Sequence, residues 1–178
     1  MSITTEKPAI TWSLVRSLYD MITYCYDIEA NGLLDTATKL HCFSYKSLGG
    51  DMVTVTDVDA PFKEGDTWVA HNHFGYDLPL LVKLGILKDF TPNTVTYMDG
   101  TVVNVQFIDT LALSREWYPD HPEGHGLKAW AKKLGTYKPE VEDWIGLSLE
   151  EYTNRCENDV LTTEKVFMFL CDKLEITL

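Results

Sequence analysis

The stretch MITYCYDIEANG, residues 21–32, constrains the fold of this chain more than any other part of the sequence. Its aromatic and β-branched residues predict a buried strand over 21–26. Asp27 and Glu29 follow, and side chains two apart on a strand point to the same face. Two carboxylates so close repel each other and raise each other's proton affinity unless a cation lies between them. We therefore expect a divalent metal ion at the end of this strand.

The remaining pattern predicts an α/β fold. Strands at 39–45 and 52–58, joined by a turn at Gly49-Gly50, extend the first strand into a three-stranded antiparallel meander. Ser148 and Glu151 form the sequence pattern of a capping box, which predicts the start of the last helix. The alternation of strands and helices after the meander predicts a mixed sheet with parallel strands, flanked by helices. These later elements are strands at 67–70 and 102–108 and helices at 77–84, 110–117, 127–135 and about 148–173.

Length and composition indicate one globular domain. The 178 residues suffice for one core, and we assign 21–178 to it, with 1–20 as an arm or docking helix of unclear role. No stretch approaches the about 18–20 apolar residues of a membrane span, and no signal peptide is recognisable. We expect a cytoplasmic protein with no membrane partner. Four widely spaced cysteines, without a CxxC pair, are expected to be reduced and mostly buried: Cys25, Cys42, Cys156 and Cys171.

The net charge of −12 argues against a protein that coats nucleic acid through a basic surface, because neutralising phosphates supplies much of such binding. The charge is compatible with an enzyme that brings phosphate to metal ions held by carboxylates. In such a site the metal supplies the positive charge.

Two further acidic residues are candidates for the same site. Asp77 lies at the start of a predicted helix, where capping the helix N-terminus is the alternative interpretation and the one favoured for an isolated Asp. Asp159 lies on the last helix and shares a face with Tyr152, Arg155 and Thr163. Taken alone, Asp159 would be interpreted as a solvated surface charge.

Five stretches together resemble the motifs of the DnaQ-like, or DEDD, 3′-5′ exonucleases, which have an RNase H-like fold. The similarity is greatest to the proofreading domains of phage family A DNA polymerases. The matching stretches occur in the family's order over about 150 residues: DIEANGLLDTATKLHCF at 27–43, HNHFGYDLPLLVKLG at 71–85, FIDTLALSR at 107–115, GHGLKAWAKKLG at 124–135 and NDVLTTEKV at 158–166.

The resemblance implies a site with two divalent ions. Asp27, Glu29 and Asp159 would bind the first ion, Asp27 would also bind the second, and Asp77 would act mainly through water. Oxygen ligands suit Mg²⁺ or Mn²⁺ rather than zinc. The residues expected to contact the terminal nucleotide are Ala30, Asn31, Asn72 and Phe74, with His71 beside them.

Other polar and aromatic residues in these motifs have structural alternatives that we favour. Asp109 matches an acidic position of the family but is interpreted as the N-cap of the next helix. His125, among glycines, is expected to form a cap or loop hydrogen bond. The indole rings are interpreted as core residues rather than platforms for bases: Trp117, Trp130 and Trp144.

The sequence departs from the family at the position of the group that orients or deprotonates the attacking water. Family members have Tyr four residues before the last Asp or His five residues before it, whereas this chain has Arg155 and Asn154. Neither side chain is a base near neutral pH. Because all four carboxylates are present, we expect an active nuclease in which Arg155 positions phosphate or water.

The leading hypothesis is a 3′-5′ exonuclease that acts on single-stranded or frayed DNA ends during phage replication or proofreading, in the host cytoplasm. No polymerase domain follows in this sequence, which predicts either a separately encoded exonuclease, with a polymerase as a possible partner, or an excised domain. A ribonuclease of short RNAs is the alternative enzyme. A non-catalytic module that binds DNA ends or docks onto a polymerase is the alternative outside enzymes.

Overall fold

A five-stranded mixed sheet organises the chain, which a computed structural model describes over residues 22–56, 60–136 and 146–176. The five strands are β1 Thr23–Ala30, β2 Leu40–Ser47, β3 Val53–Val55, β4 Thr67–Ala70 and β8 Gln106–Asp109. Their order is β3-β2-β1-β4-β8; the β1–β2 and β2–β3 pairs are antiparallel, and the β1–β4 and β4–β8 pairs are parallel. The predicted meander followed by parallel strands is thus confirmed. The predicted arm at 1–20 and Trp144 lie outside the described residues.

Four described helices flank this sheet, and all four predicted helices are confirmed: α1 Asp77–Lys83, α2 Thr110–Trp117, α3 Leu127–Leu134 and α4 Leu149–Leu174. Helix α4 begins with the predicted capping box, in which Ser148 and Glu151 bond to each other's backbone amides. It packs across β1, β2 and β4. Among the described residues, none of the helices has an apolar stretch long enough to cross a membrane.

The prediction of one strand over 102–108 was wrong, because the chain changes sheets within that run. Strand β7, Val102–Asn104, belongs to a separate three-stranded sheet, whereas β8 pairs with β4. Buried Val105 separates the two strands. The sequence prediction also missed the hairpin formed by β5, Leu87–Thr91, and β6, Thr94–Tyr97. A run of residues that all suit extended backbone carries no signal for a change of pairing partner.

Strand β1 runs farther than predicted, through Ala30, so its carboxylates belong to the strand itself. Its two faces have different roles. One face carries Tyr26 into an aromatic core, where its ring stacks on Phe43 at 5.1 Å between centroids. The other face carries Cys25 against Val160 and Phe167 of α4. Because Asp27 and Glu29 alternate with Tyr26 and Ile28, they are presented toward α4. All four cysteines are free and buried, as predicted.

Candidate active site

Three carboxylates from opposite ends of the chain meet between β1 and α4. Asp27 and Glu29 come from β1 and Asp159 from α4, and one ligand oxygen of each lies within 4.8 Å of the others. Glu29 and Asp159 are buried, and Asp27 is half-buried. We looked for groups of three Asp, Glu, His or Cys side chains close enough together to hold a metal ion. Within the part of the chain that the structure describes, these three carboxylates form such a group. The predicted convergence of motifs is therefore present in the fold.

The local structure explains why Asp159 reaches β1. The buried face of α4 carries Tyr152, Arg155, Asp159 and Thr163 at helical spacing, as predicted. Cys156, next to Arg155, donates its thiol hydrogen to the backbone oxygen of Asp27, with 3.2 Å between Sγ and the oxygen. This bond fixes the helix beside the strand at the level of the carboxylates.

Asp77 lies in the same cleft but is not one of the three clustered carboxylates. The alternative interpretation of Asp77 as a helix N-cap is wrong, because the N-cap of α1 is Tyr76 and Asp77 is the first helical residue. Asp77 is 3% exposed. Burial, followed by the negative charges of Asp109, Glu29 and Asp159, raises its pKa to about 8. In the metal-free chain, burial therefore favours the protonated form of this carboxyl.

Arg155 forms an ion pair with Glu29. Its Nε donates to Glu29 Oε1 at 2.6 Å, and each side chain is only 9% exposed. The guanidinium thus lies beside the carboxylate cluster and also lines the cleft. Asn154, the other residue at the family's water-orienting positions, is exposed, and its Oδ1 accepts a hydrogen bond from Asn158. The ion pair with Glu29 could not be inferred from the sequence, because nothing in it indicates what Arg155 contacts.

The cleft has a volume of about 650 Å³ and extends from the carboxylates to the loop after β1. Ala30 and Asn31, two of the predicted substrate contacts, line it. The Asn31 side chain also organises the loop, since its Oδ1 accepts from the backbone amides of Thr38 and Lys39. Lys83 on α1 donates to two backbone oxygens of the loop, those of Leu34 and Asp35. These bonds fix one wall of the cleft.

The opposite wall includes the loop between β4 and α1. His71 and Asn72 line the cleft, whereas Phe74 is not among the described residues that do so. Asn72 has a left-handed backbone, with φ of 69°, and its amide donates to Asp109 Oδ1 at 2.8 Å. The same oxygen accepts from the amide of Leu111, so Asp109 caps α2 as predicted. Asp109 therefore ties the loop to α2.

The structural alternatives for the remaining candidates are confirmed where the structure describes them. His125 Nδ1 shares a hydrogen bond of 2.7 Å with Ser114 Oγ. Trp130 is fully buried, and Trp117 packs against its cluster. Sequence reasoning missed six residues that line the cleft: Ile28, Gly32, Leu33, Thr36, Tyr76 and Leu127. The Tyr76 hydroxyl donates a hydrogen bond to the backbone oxygen of Gly32 at 2.7 Å. The position of Tyr76 next to Asp77 was the sequence feature that could have identified it as a cleft residue.

Comparison with known proteins supports the resemblance to DnaQ-like exonucleases. No protein-family profile matches the chain. The DNA-directed DNA polymerase of Enterobacteria phage T3 is 33% identical over 145 residues, and that of Escherichia phage T7 is 32% identical over 145 residues. Each alignment covers 70% of this chain and 21% of the polymerase. The chain thus spans about a fifth of the length of these relatives.

Solved structures confirm the RNase H-like fold. Brucella melitensis NrnC bound to pGG superposes with a TM-score of 0.62 and 19% identity, covering 88% of this chain and 75% of NrnC. The EXO domain of Aedes aegypti Nibbler gives a TM-score of 0.57 at 9% identity, covering 92% of this chain and 84% of that domain. At these identities the likeness establishes the fold alone.

Proposed function

We propose that this chain, which has the sequence motifs and the fold of the DnaQ-like 3′-5′ exonucleases, is a metal-dependent exonuclease that removes nucleotides from DNA 3′ ends. The observation that carries the proposal is the meeting of Asp27, Glu29 and Asp159 within 4.8 Å, from ends of the chain more than a hundred residues apart. Burying clustered charges costs free energy unless a cation or a partner offsets it. Such a cluster is therefore expected to serve a chemical purpose.

The residues present fit a divalent ion. Three carboxylates offer hard oxygen ligands, which Mg²⁺ and Mn²⁺ prefer, and one of the NrnC structures contains bound Mg²⁺. Asp27, Glu29 and Asp159 would hold the ion, with Asp77 acting through water. Two divalent ions bound there would lower the pKa of an attacking water and stabilise the leaving 3′ oxygen in an in-line displacement.

The chain's own residues would position the substrate. Ala30 and Asn31 on one wall and Asn72 on the other border the cleft next to the carboxylates, where a terminal nucleotide would lie. Phe74 remains a proposed substrate contact, at the exposed end of the loop that contains Asn72. Arg155 is proposed to position phosphate or water while Glu29 holds its Nε.

The test uses a single-stranded DNA labelled at its 5′ end. We expect a ladder of products shortened from the 3′ end with Mn²⁺ or Mg²⁺, and no products with EDTA. Asp27→Ala and Asp159→Ala should lower the rate by several orders of magnitude, whereas Asp51→Ala, which removes an exposed carboxylate outside the cleft, should not. A blocked 3′ end should prevent cleavage, and a blocked 5′ end should not. Retention of most activity in folded Asp27→Ala would refute the assigned site.

A ribonuclease of short RNAs is the second candidate, favoured by the structural neighbour bound to pGG. Matched DNA and RNA strands of two to twenty nucleotides separate the two activities. A preference for the RNA dinucleotide would replace the DNA proposal with this one. A partnership with a polymerase encoded elsewhere, in the host cytoplasm, is proposed only by analogy with the phage relatives.

A further inference from the structure

Arg155 introduces a fixed positive charge into a cleft whose acidic residues are four carboxylates. Among the described residues that line the cleft, Arg155 is the only lysine or arginine. The acidic residues that line it are Asp27, Glu29, Asp77 and Asp159. The guanidinium is held within the fold, since Arg155 is 7% exposed and Nε lies 2.6 Å from Glu29 Oε1. An arginine side chain stays protonated at every physiological pH. Its charge is therefore a permanent part of the metal site.

A guanidinium and a divalent ion are both cations that bind to these carboxylates by electrostatic attraction. Both are stabilised by the negative charge of Glu29, and both repel another cation nearby. Screening by water is weak here, because both members of the ion pair are buried. One Glu29 oxygen is engaged by Arg155 Nε, which fixes the orientation of the carboxylate. Arg155 can thus neutralise part of the cluster without a second ion.

We propose that Arg155 takes the place of one divalent cation, so that the chain binds one ion firmly and a second ion at least about tenfold more weakly. Arg155 acts through Glu29 and is in that sense a positioning residue. This inference rests on the proposed function, since it assumes that the carboxylate cluster binds metal. It assigns a role to the residue at which this sequence departs from the pattern of the DnaQ-like exonucleases.

The experiment measures ion binding rather than cleavage. Mn²⁺ is titrated by calorimetry into the metal-free protein, in wild type, Arg155→Gln and Arg155→Lys. We expect one tight and one weaker ion in wild type, and the same isotherm in Arg155→Lys, which retains the charge. In Arg155→Gln the second ion should bind about tenfold more tightly, so that the two sites become similar. An Arg155→Gln isotherm equal to that of wild type, or an Arg155→Lys isotherm equal to that of Arg155→Gln, would overturn the proposal.

Arg155→Gln leaves a buried Glu29 without its cation and could fail to fold, so a second measurement uses wild type alone. Electron paramagnetic resonance with one and then three equivalents of Mn²⁺ distinguishes an isolated ion from a coupled pair. The proposal predicts that isolated ions predominate in wild type at one equivalent, with pairs appearing only at excess. Coupled pairs at one equivalent would overturn it. A protein that binds ions as expected but does not cleave nucleic acid would refute the proposed function and leave this inference standing.

Discussion

Asp77 is the residue whose ionisation should most clearly be coupled to folding. Its pKa is about 8 in the folded chain, compared with an ordinary value of 3.8, chiefly because the carboxyl is buried. A raised pKa means that the fold favours the protonated form. The associated stability is complete below the ordinary pKa and is lost as the pH rises through about 8. The metal-free protein should therefore become less stable between about pH 4 and pH 8.

Urea denaturation in EDTA at several pH values tests this coupling. The free energy of unfolding of wild type should fall over this range, and Asp77→Asn should show a clearly smaller fall, because its side chain cannot ionise. Asp51→Asn, which changes an exposed residue outside the cleft, should behave like wild type. Parallel curves for wild type and Asp77→Asn would show that Asp77 does not titrate as its burial implies.

At the scale of single residues, the sequence predicted the position of the site better than its contacts. The spacing of Asp27 and Glu29 sufficed to place two carboxylates on one face. Asp159 was identified only through the family resemblance, since its own context is that of a surface charge. The ion pair of Arg155 with Glu29 could not be predicted from the sequence, because it joins residues separated by 126 positions. Local sequence does not encode contacts of that range.

At the scale of elements, the helix signals were reliable because capping and helical periodicity are local. The capping box of α4 is the clearest example, and its contribution can be measured. Ser148 Oγ accepts the amide hydrogen of Glu151, and Glu151 Oε2 accepts that of Ser148. Ser148→Ala should lower the free energy of unfolding by about 1 kcal/mol, as measured by urea denaturation with EDTA present.

Ser148→Asp is the matched control, because an aspartate also accepts the amide hydrogen and suits a helix N-terminus. It should retain most of the stability of wild type. Equal losses in the two variants would mean that the capping bond does not contribute and that the substitution acts through another contact.

Strands were less predictable than helices, for a physical reason that β7 and β8 illustrate. A strand needs partners, and the partners of these two lie in different sheets. Their side chains satisfy the same local preference for extended backbone, so the sequence indicates one strand. Only the tertiary arrangement decides that the run is divided at Val105.

At the scale of the whole molecule, metal binding should stabilise the fold, because an ion that binds only the folded chain shifts the unfolding equilibrium. Mn²⁺ at a hundredfold excess over its Kd should raise the Tm of wild type by roughly 5 to 10 °C. Metal-free Asp27→Ala should melt near or above metal-free wild type, since one repelling charge is removed.

Asp27→Ala should also gain much less from Mn²⁺ than wild type does. Differential scanning calorimetry of both proteins, with EDTA and with Mn²⁺, provides the comparison. Asp51→Ala, which leaves the cluster intact, should gain as much as wild type. If Asp27→Ala and wild type gain equally, the ions bind outside the carboxylate cluster.

The long separation in sequence between the carboxylates of β1 and Asp159 of α4 determines when the site can form during translation. A chain emerging from the ribosome exposes Asp27 and Glu29 more than a hundred residues before it acquires Asp159. Until then it has two of the three clustered ligands and no α4 to cover β1. A nascent chain therefore cannot assemble the site, and any cleavage of nucleic acid must wait until α4 has been synthesised and has packed.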